Sequence, residues 1–190
     1  MERIPIPPNA ALFDKAVADL QTLFAGELTW LDHAFGICER VTRTIDNKRY
    51  NIASVYTGAD NYEQIEPCVK LGNFCFFYLR DPQEFGRMDK DQVHTTLSII
   101  FWYDMRKVGY PTSRNREAIK AKILSLVQGA HLPNGTIVGS RIYEEPKNVF
   151  ADFSYDYVDN QFLMSPFAGL RIDAVLYADI PCYTIESNDN

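Results

Sequence analysis

Three histidines, His33, His94 and His131, are the side chains best able to move a proton or hold a metal at neutral pH. None stands in HxH or HxxxH spacing, and the four cysteines, Cys38, Cys68, Cys75 and Cys182, contain no CxxC pair. A metal centre would have to be gathered from distant segments. For covalent catalysis the chain offers no GxSxG elbow, and Ser165 stands directly before a proline. Phosphate-cradling loops are also missing, since neither GxGxxG nor GxxxxGK[ST] occurs. Carboxylates at Asp152, Asp156, Asp159, Asp173 and Asp179 are numerous without regular spacing, and a solvated acidic face explains them. The segment FADFSYDYVDNQF, 150–162, alternates aromatic and acidic residues, as a protein contact or a loop covering the core would. A ligand-binding or catalytic alternative would draw on Tyr155, Asp156, His94 and Arg171. The residues favour no enzyme: no catalytic, cofactor-binding or metal site is assigned.

The elements that must position these side chains follow from composition and periodicity. A chain of 190 residues makes one full-sized domain, and 13% aromatic residues within 46% hydrophobic suit a sheet-centred core. A net charge of -6 disfavours nucleic-acid binding, although a local patch can escape the sum. The longest apolar runs, FCFFYL and IIFWY, fall far short of the roughly 20 residues of a membrane span. The start, MERIPIPPNAALF, does not read as a secretory signal, so a cytosolic protein without disulfides is expected. Cys38 and Cys75 then act as small hydrophobes in strands.

Residues 1–9 form an extended arm set by Pro5, Pro7 and Pro8, which docks on a neighbour or is loose. Asn9 is the expected cap of a helix over 10–25 that Gly26 stops. Alternation over 37–56 predicts a hairpin with Asp46-Asn47-Lys48 at its tip, and 28–36 favours an extension of its first strand. A loop at 57–73 leads to a strand at 73–80 covered on both faces, then a charged loop at 81–92 and a strand at 93–105, its antiparallel partner. A second helix covers 114–129 and a strand 135–143. The last strand, 169–180, sets Leu170, Ile172, Ala174, Leu176 and Ala178 against Arg171, Asp173, Val175, Tyr177 and Asp179 on the other face. The expected fold class is α+β: an antiparallel sheet with two main helices packed on one face and long loops. One domain spans 10–185, and 186–190 is a frayed acidic tail.

This order, with HTTLSIIFWYDMRK at 94–107 followed by REAIKAKILSLV and a late PFAGLRIDAVLYAD at 166–179, resembles the tail terminator (tail completion) and head-tail neck proteins of tailed bacteriophages. DNYEQIEPCVKLGNFCFFYLRDP, 60–82, is also similar to phage neck proteins. The resemblance implies a structural virion protein, assembled in the host bacterial cytoplasm. It would form a homohexameric ring that contacts the tail tube protein and the neck or connector protein, with DNA only passing through the lumen and no membrane. A connector or stopper ring is the near alternative. Six copies at -6 would give about -36, a field that repels phosphates. The projections that could reach a neighbour supply the candidate interface residues: Pro7 and Pro8 in the arm, Asn47 and Lys48 at the hairpin tip, Phe85 and Arg87 in the charged loop, and Tyr155 and Tyr157 in the aromatic segment.

Overall fold

The computed structural model describes residues 3–87, 91–109, 116–155 and 163–180. Helix α1 (Phe13–Glu27) precedes strands β1 (His33–Ile45), β2 (Lys48–Gly58), β3 (Asn61–Gln64), β4 (Phe74–Arg87) and β5 (Asp91–Asp104). Helix α2 (Arg116–Gln128), β6 (Gly135–Tyr143), the short α3 (Pro146–Val149) and β7 (Phe167–Asp179) complete the order. All seven strands form one sheet, β3-β2-β1-β4-β5-β7-β6. The architecture is mixed helix and sheet, and the sheet is mostly antiparallel.

One neighbour pair departs from the antiparallel expectation. β1 and β4 run parallel, His33 beside Phe74 and Ile37 beside Phe77. The cause lies in the stretch read as a 57–73 loop, which contains β3 on the far side of β2. After β3 the chain crosses back to the end where β1 started, so β4 enters in the same direction.

Other expectations shift locally. The charged segment 81–92 is strand for most of its described length, with Phe85 paired to Val93 and Arg87 to Asp91. The ladder changes register between Arg80 and Glu84, passing over Pro82, which has no N–H to give. Hydrogen bonds to β5 hold this outer part of β4, and they need no apolar alternation. Asn9 does not cap α1. The Ala10 N–H donates to Pro7 O at 3.2 Å in a turn, and the helix starts only at Phe13, after Leu12 with φ 45° and no side-chain cap. Gly26 lies inside the helix, whose end is marked by the Leu28 N–H donating to Phe24 O at 2.8 Å.

The sheet carries a core on each face. On one, Phe77, Leu97, Ile99, Phe101, Leu170, Ile172 and Leu176 meet Val17, Leu20 and Phe24 of α1 and Ile119, Ile123 and Val127 of α2 in a single apolar cluster. The other gathers Phe35, Phe74, Phe76, Ile100 and Trp102 under Val149, Phe150, Phe153 and Tyr155. Alternate residues of β4 therefore serve opposite cores, which explains why Phe74 to Phe77 read as an unbroken apolar run. Cys38 and Cys75 are buried and free, and burial pushes both thiols above their usual range. The start of the arm is fastened to its own chain: the Ala34 N–H donates to Arg3 O at 2.9 Å, and buried Gln21 donates to Pro5 O at 3.1 Å and Ala34 O at 2.7 Å.

Candidate assembly surface

The ladder between β1 and β4 stops at Ile37 and Phe77, yet both strands continue. Beyond that point β1 pairs with β2 alone, down to a two-residue turn at Asp46 and Asn47 with φ 49° and 61°. Positive φ at both central positions is the turn geometry that matches a twisted ribbon, and Asp and Asn tolerate it. β4 likewise continues with β5 as its partner. Because β1 and β4 are parallel, the β1–β2 ribbon projects at the end of the sheet where β4 finishes, while β5 stays paired with β7 as far as Gln92 beside Asp179.

Cross-strand partners fix which face each side chain of the β1–β2 ribbon occupies. Arg40, Thr42 and Thr44 share a face with Ala53, Asn51 and Arg49, and the Thr42 hydroxyl donates to Asn51 Oδ1 at 3.1 Å. Val41, Arg43 and Ile45 share the other with Ile52, Tyr50 and Lys48. There the Arg43 guanidinium lies against the Gln64 side-chain amide. Arg40, Arg43, Lys48 and Arg49 are all exposed. At that end of β5, His94 Nε2 lies 3.3 Å from Glu84 and its ring stacks on Tyr177 of β7.

An ionic network anchors the cover of the second core. Arg171 is 1% exposed; its Nε donates to Asp173 at 2.7 Å, Nη1 lies 2.8 Å from Asp152, and Nη2 donates to Ser98 Oγ at 3.0 Å. Arg80 donates to Asp152 at 2.8 Å, so two guanidinium groups face two carboxylates. Burial pushes the Asp152 carboxyl above its ordinary range against the pull of Arg80. One residue beyond Phe153, the Ser154 N–H donates to Asn51 O at 2.7 Å and Ser154 Oγ accepts from the Asn51 N–H at 3.2 Å, tying this cover to the root of the β1–β2 ribbon. A cleft of about 500 Å³ opens beside the network, lined by Arg80, Thr96, Val138, Arg141, Tyr143 and Asp173.

The sheet edges complete the surface. β3 is four residues long, and just past it the Ile65 N–H donates to Ala53 O at 2.9 Å. β6 is nine residues long and, among the described residues, pairs only with β7. Its Val138 and Ile142 are 52% and 37% exposed on opposite faces, and Gly139, with φ 63°, makes a bulge between Val138 and Ser140.

The sequence-predicted residues land unevenly. Asn47 and Lys48 are exposed at the ribbon tip, Pro8 is exposed, and Pro7 is half-buried. Phe85 and Arg87 have their backbones in the outer part of β4. Tyr155 is a correction: it is 2% exposed and its hydroxyl donates to Ile65 O at 2.8 Å, which leaves it no surface to offer a partner. Its ring fills the second core against Phe150, as a large aromatic with one satisfied polar tip does. Tyr157 and Asp156 lie outside the described residues. The alternative ligand site is not assembled, since His94 stacks on Tyr177, six residues and about 20 Å along β7 from buried Arg171. Asp152 and the β6 edge were missed. The i, i+2 pair Arg171 and Asp173 on one strand face was the available signal for the network. Among the described residues no group of three His, Cys, Asp or Glu is placed to hold a metal ion. No helix of the described residues is long and apolar enough to cross a membrane. No protein-family model matches the chain, and no curated protein is significantly similar to it.

Proposed function

We propose that the chain is a structural protein of a tailed-bacteriophage virion. It forms a ring at the tail end or neck, as a tail terminator does, that joins the tail tube to the head-tail connector and lets DNA pass. The observation that carries this reading is the inequality of the sheet edges. A closed ring is built from a heterologous contact, one surface of each copy meeting a different surface of the next. Here one side offers the nine-residue β6 edge and the other the four-residue β3 edge. In this reading the two longer helices pack on one sheet face, which the joining of their buried residues in a single apolar cluster supports. That leaves the sheet edges for contacts between copies. The partners of the ring are the tail tube and connector proteins, and the close variant of the reading is a connector or stopper ring.

The test is absolute mass by light scattering over a concentration series, with negative-stain images of large species. A closed ring near six copies supports the proposal. A strict monomer that also fails to bind purified tail tube protein overturns it. A second reading, binding of a small anionic ligand, rests on the cleft between Arg80 and Arg141. A ligand that raises the Tm of the native chain but not of an R80A/R141A variant would favour it.

A further inference from the structure

We infer that the β1–β2 ribbon grips the phosphate backbone of double-stranded DNA, without reading its sequence, while the body of the protein repels it. Residues 40–49 carry Arg40, Arg43, Lys48 and Arg49 against a single acidic residue, Asp46. This is +3 in a chain whose total is -6, so the remaining residues hold -9. All four cations are exposed, on a hairpin that has left the sheet behind at Ile37.

Their arrangement distinguishes a nucleic acid from an acidic protein surface. Docking flat on a protein would use cations on one face of the ribbon. Instead Arg40 and Arg49 occupy one face, with Thr42 and Thr44, while Arg43 and Lys48 occupy the other. A ribbon charged on both faces fits a groove walled by phosphates on two sides, and the major groove of DNA, about 12 Å wide, admits a two-stranded ribbon. Lys, Arg and Thr contacts of this kind go to phosphate and fix position rather than sequence. Asn51, a side chain able to read a base edge, is engaged with Thr42.

The acidic body sets the character of the contact. Attraction is confined to the ribbon, so binding is modest and falls steeply with salt as counterions return to the DNA. Such a contact suits DNA that must move past the protein, and it exists in one copy whether or not a ring forms.

The experiment is fluorescence anisotropy of a labelled duplex of about 20 bp titrated with the full chain, from about 50 mM to about 200 mM salt. The wild-type chain is expected to bind two unrelated sequences equally. K48E/R49E is expected to lose at least tenfold in affinity at the lower salt, with the log–log salt slope shallower by about 2, near 0.9 per phosphate contact. K122E, an exposed charge on α2 paired with Glu27, should leave binding unchanged. Circular dichroism establishes that the variants are folded. Absence of binding by the wild-type chain at about 50 mM salt, or an unchanged slope in K48E/R49E, overturns the inference. It is equally overturned if K48E/R49E abolishes self-association while DNA affinity is unaltered, which would assign the ribbon to a protein contact.

Discussion

At the β3 side of the sheet, the last strand is four residues long, Ile65 continues the pairing onto Ala53, and Ser154 occupies both backbone groups of Asn51. At the β6 side, nine residues run with one neighbour among the described residues, no lysine, proline or acidic residue interrupts them, and Val138 and Ile142 are exposed. Natural sheets guard their edges with short strands, charges, prolines, bulges or a covering loop. The first edge has a short strand and a loop; the second has only the Gly139 bulge and Arg141. Part of the guard on the first edge is also remote in sequence, since Ser154 lies a hundred positions from Asn51, and two residues before it Asp152 pairs with Arg171.

The strongest way to break the contrast is to remove the fastener. Arg171→Met leaves Asp152 and Asp173 with a lost buried cation and should cost about 3–5 kcal/mol in urea denaturation. Amide exchange at Asn51 and Ile65 should accelerate beyond that at β6, because the cover is what unlocks. Unchanged protection at those two amides would show that the guard does not hang on the network. Gly135→Ala attacks the open side, where an added Cβ would sit 2.5 Å from Tyr177 O; forcing the start of β6 away from β7 should cost about 1–3 kcal/mol by thermal denaturation. Tyr155→Phe removes one buried hydrogen bond to Ile65 O and should cost about 1 kcal/mol, again with faster exchange confined to the β3 side. Val138→Lys should change stability by less than about 0.5 kcal/mol while weakening self-association in sedimentation, since it places a charge on the edge proposed to meet the next copy. Equal self-association of Val138→Lys and the native chain would remove the role assigned to β6.

Most of the elements were legible because burial leaves a period. β6 spans the predicted 135–143, the hairpin turn falls at Asp46 and Asn47 as alternation placed it, and the two faces of β7 separate as read. The outer part of β4 was illegible for the opposite reason. Its pairing with β5 rests on backbone hydrogen bonds, which leave no periodic mark in the sequence, and β3, NYEQ, escapes in the same way. Parallel pairing of β1 with β4 is set by the path of the intervening chain, which has no periodic signature. Tyr155 was misread because aromatic and acidic residues alternate alike in a surface patch and in a lid whose aromatics point down. Arg171 was put on the correct face, but a face assignment does not reveal that Asp152, from another segment, closes over it.

β7 is the last of the described strands to be made, yet it lies inside the sheet, between β5 and β6. Its ladder with β5 joins positions as far apart as Gln92 and Asp179. During synthesis, the β1–β2 and β4–β5 hairpins have their partners nearby, but β5 and β6 each wait with an unfilled flank until β7 slots between them. Such long-range closure is slow and leaves strand flanks open to wrong pairing. A ribosome stalled before Phe167 would therefore hold a nascent chain with two hairpins in place and a gap in its middle, at its most vulnerable to strand exchange with another nascent copy.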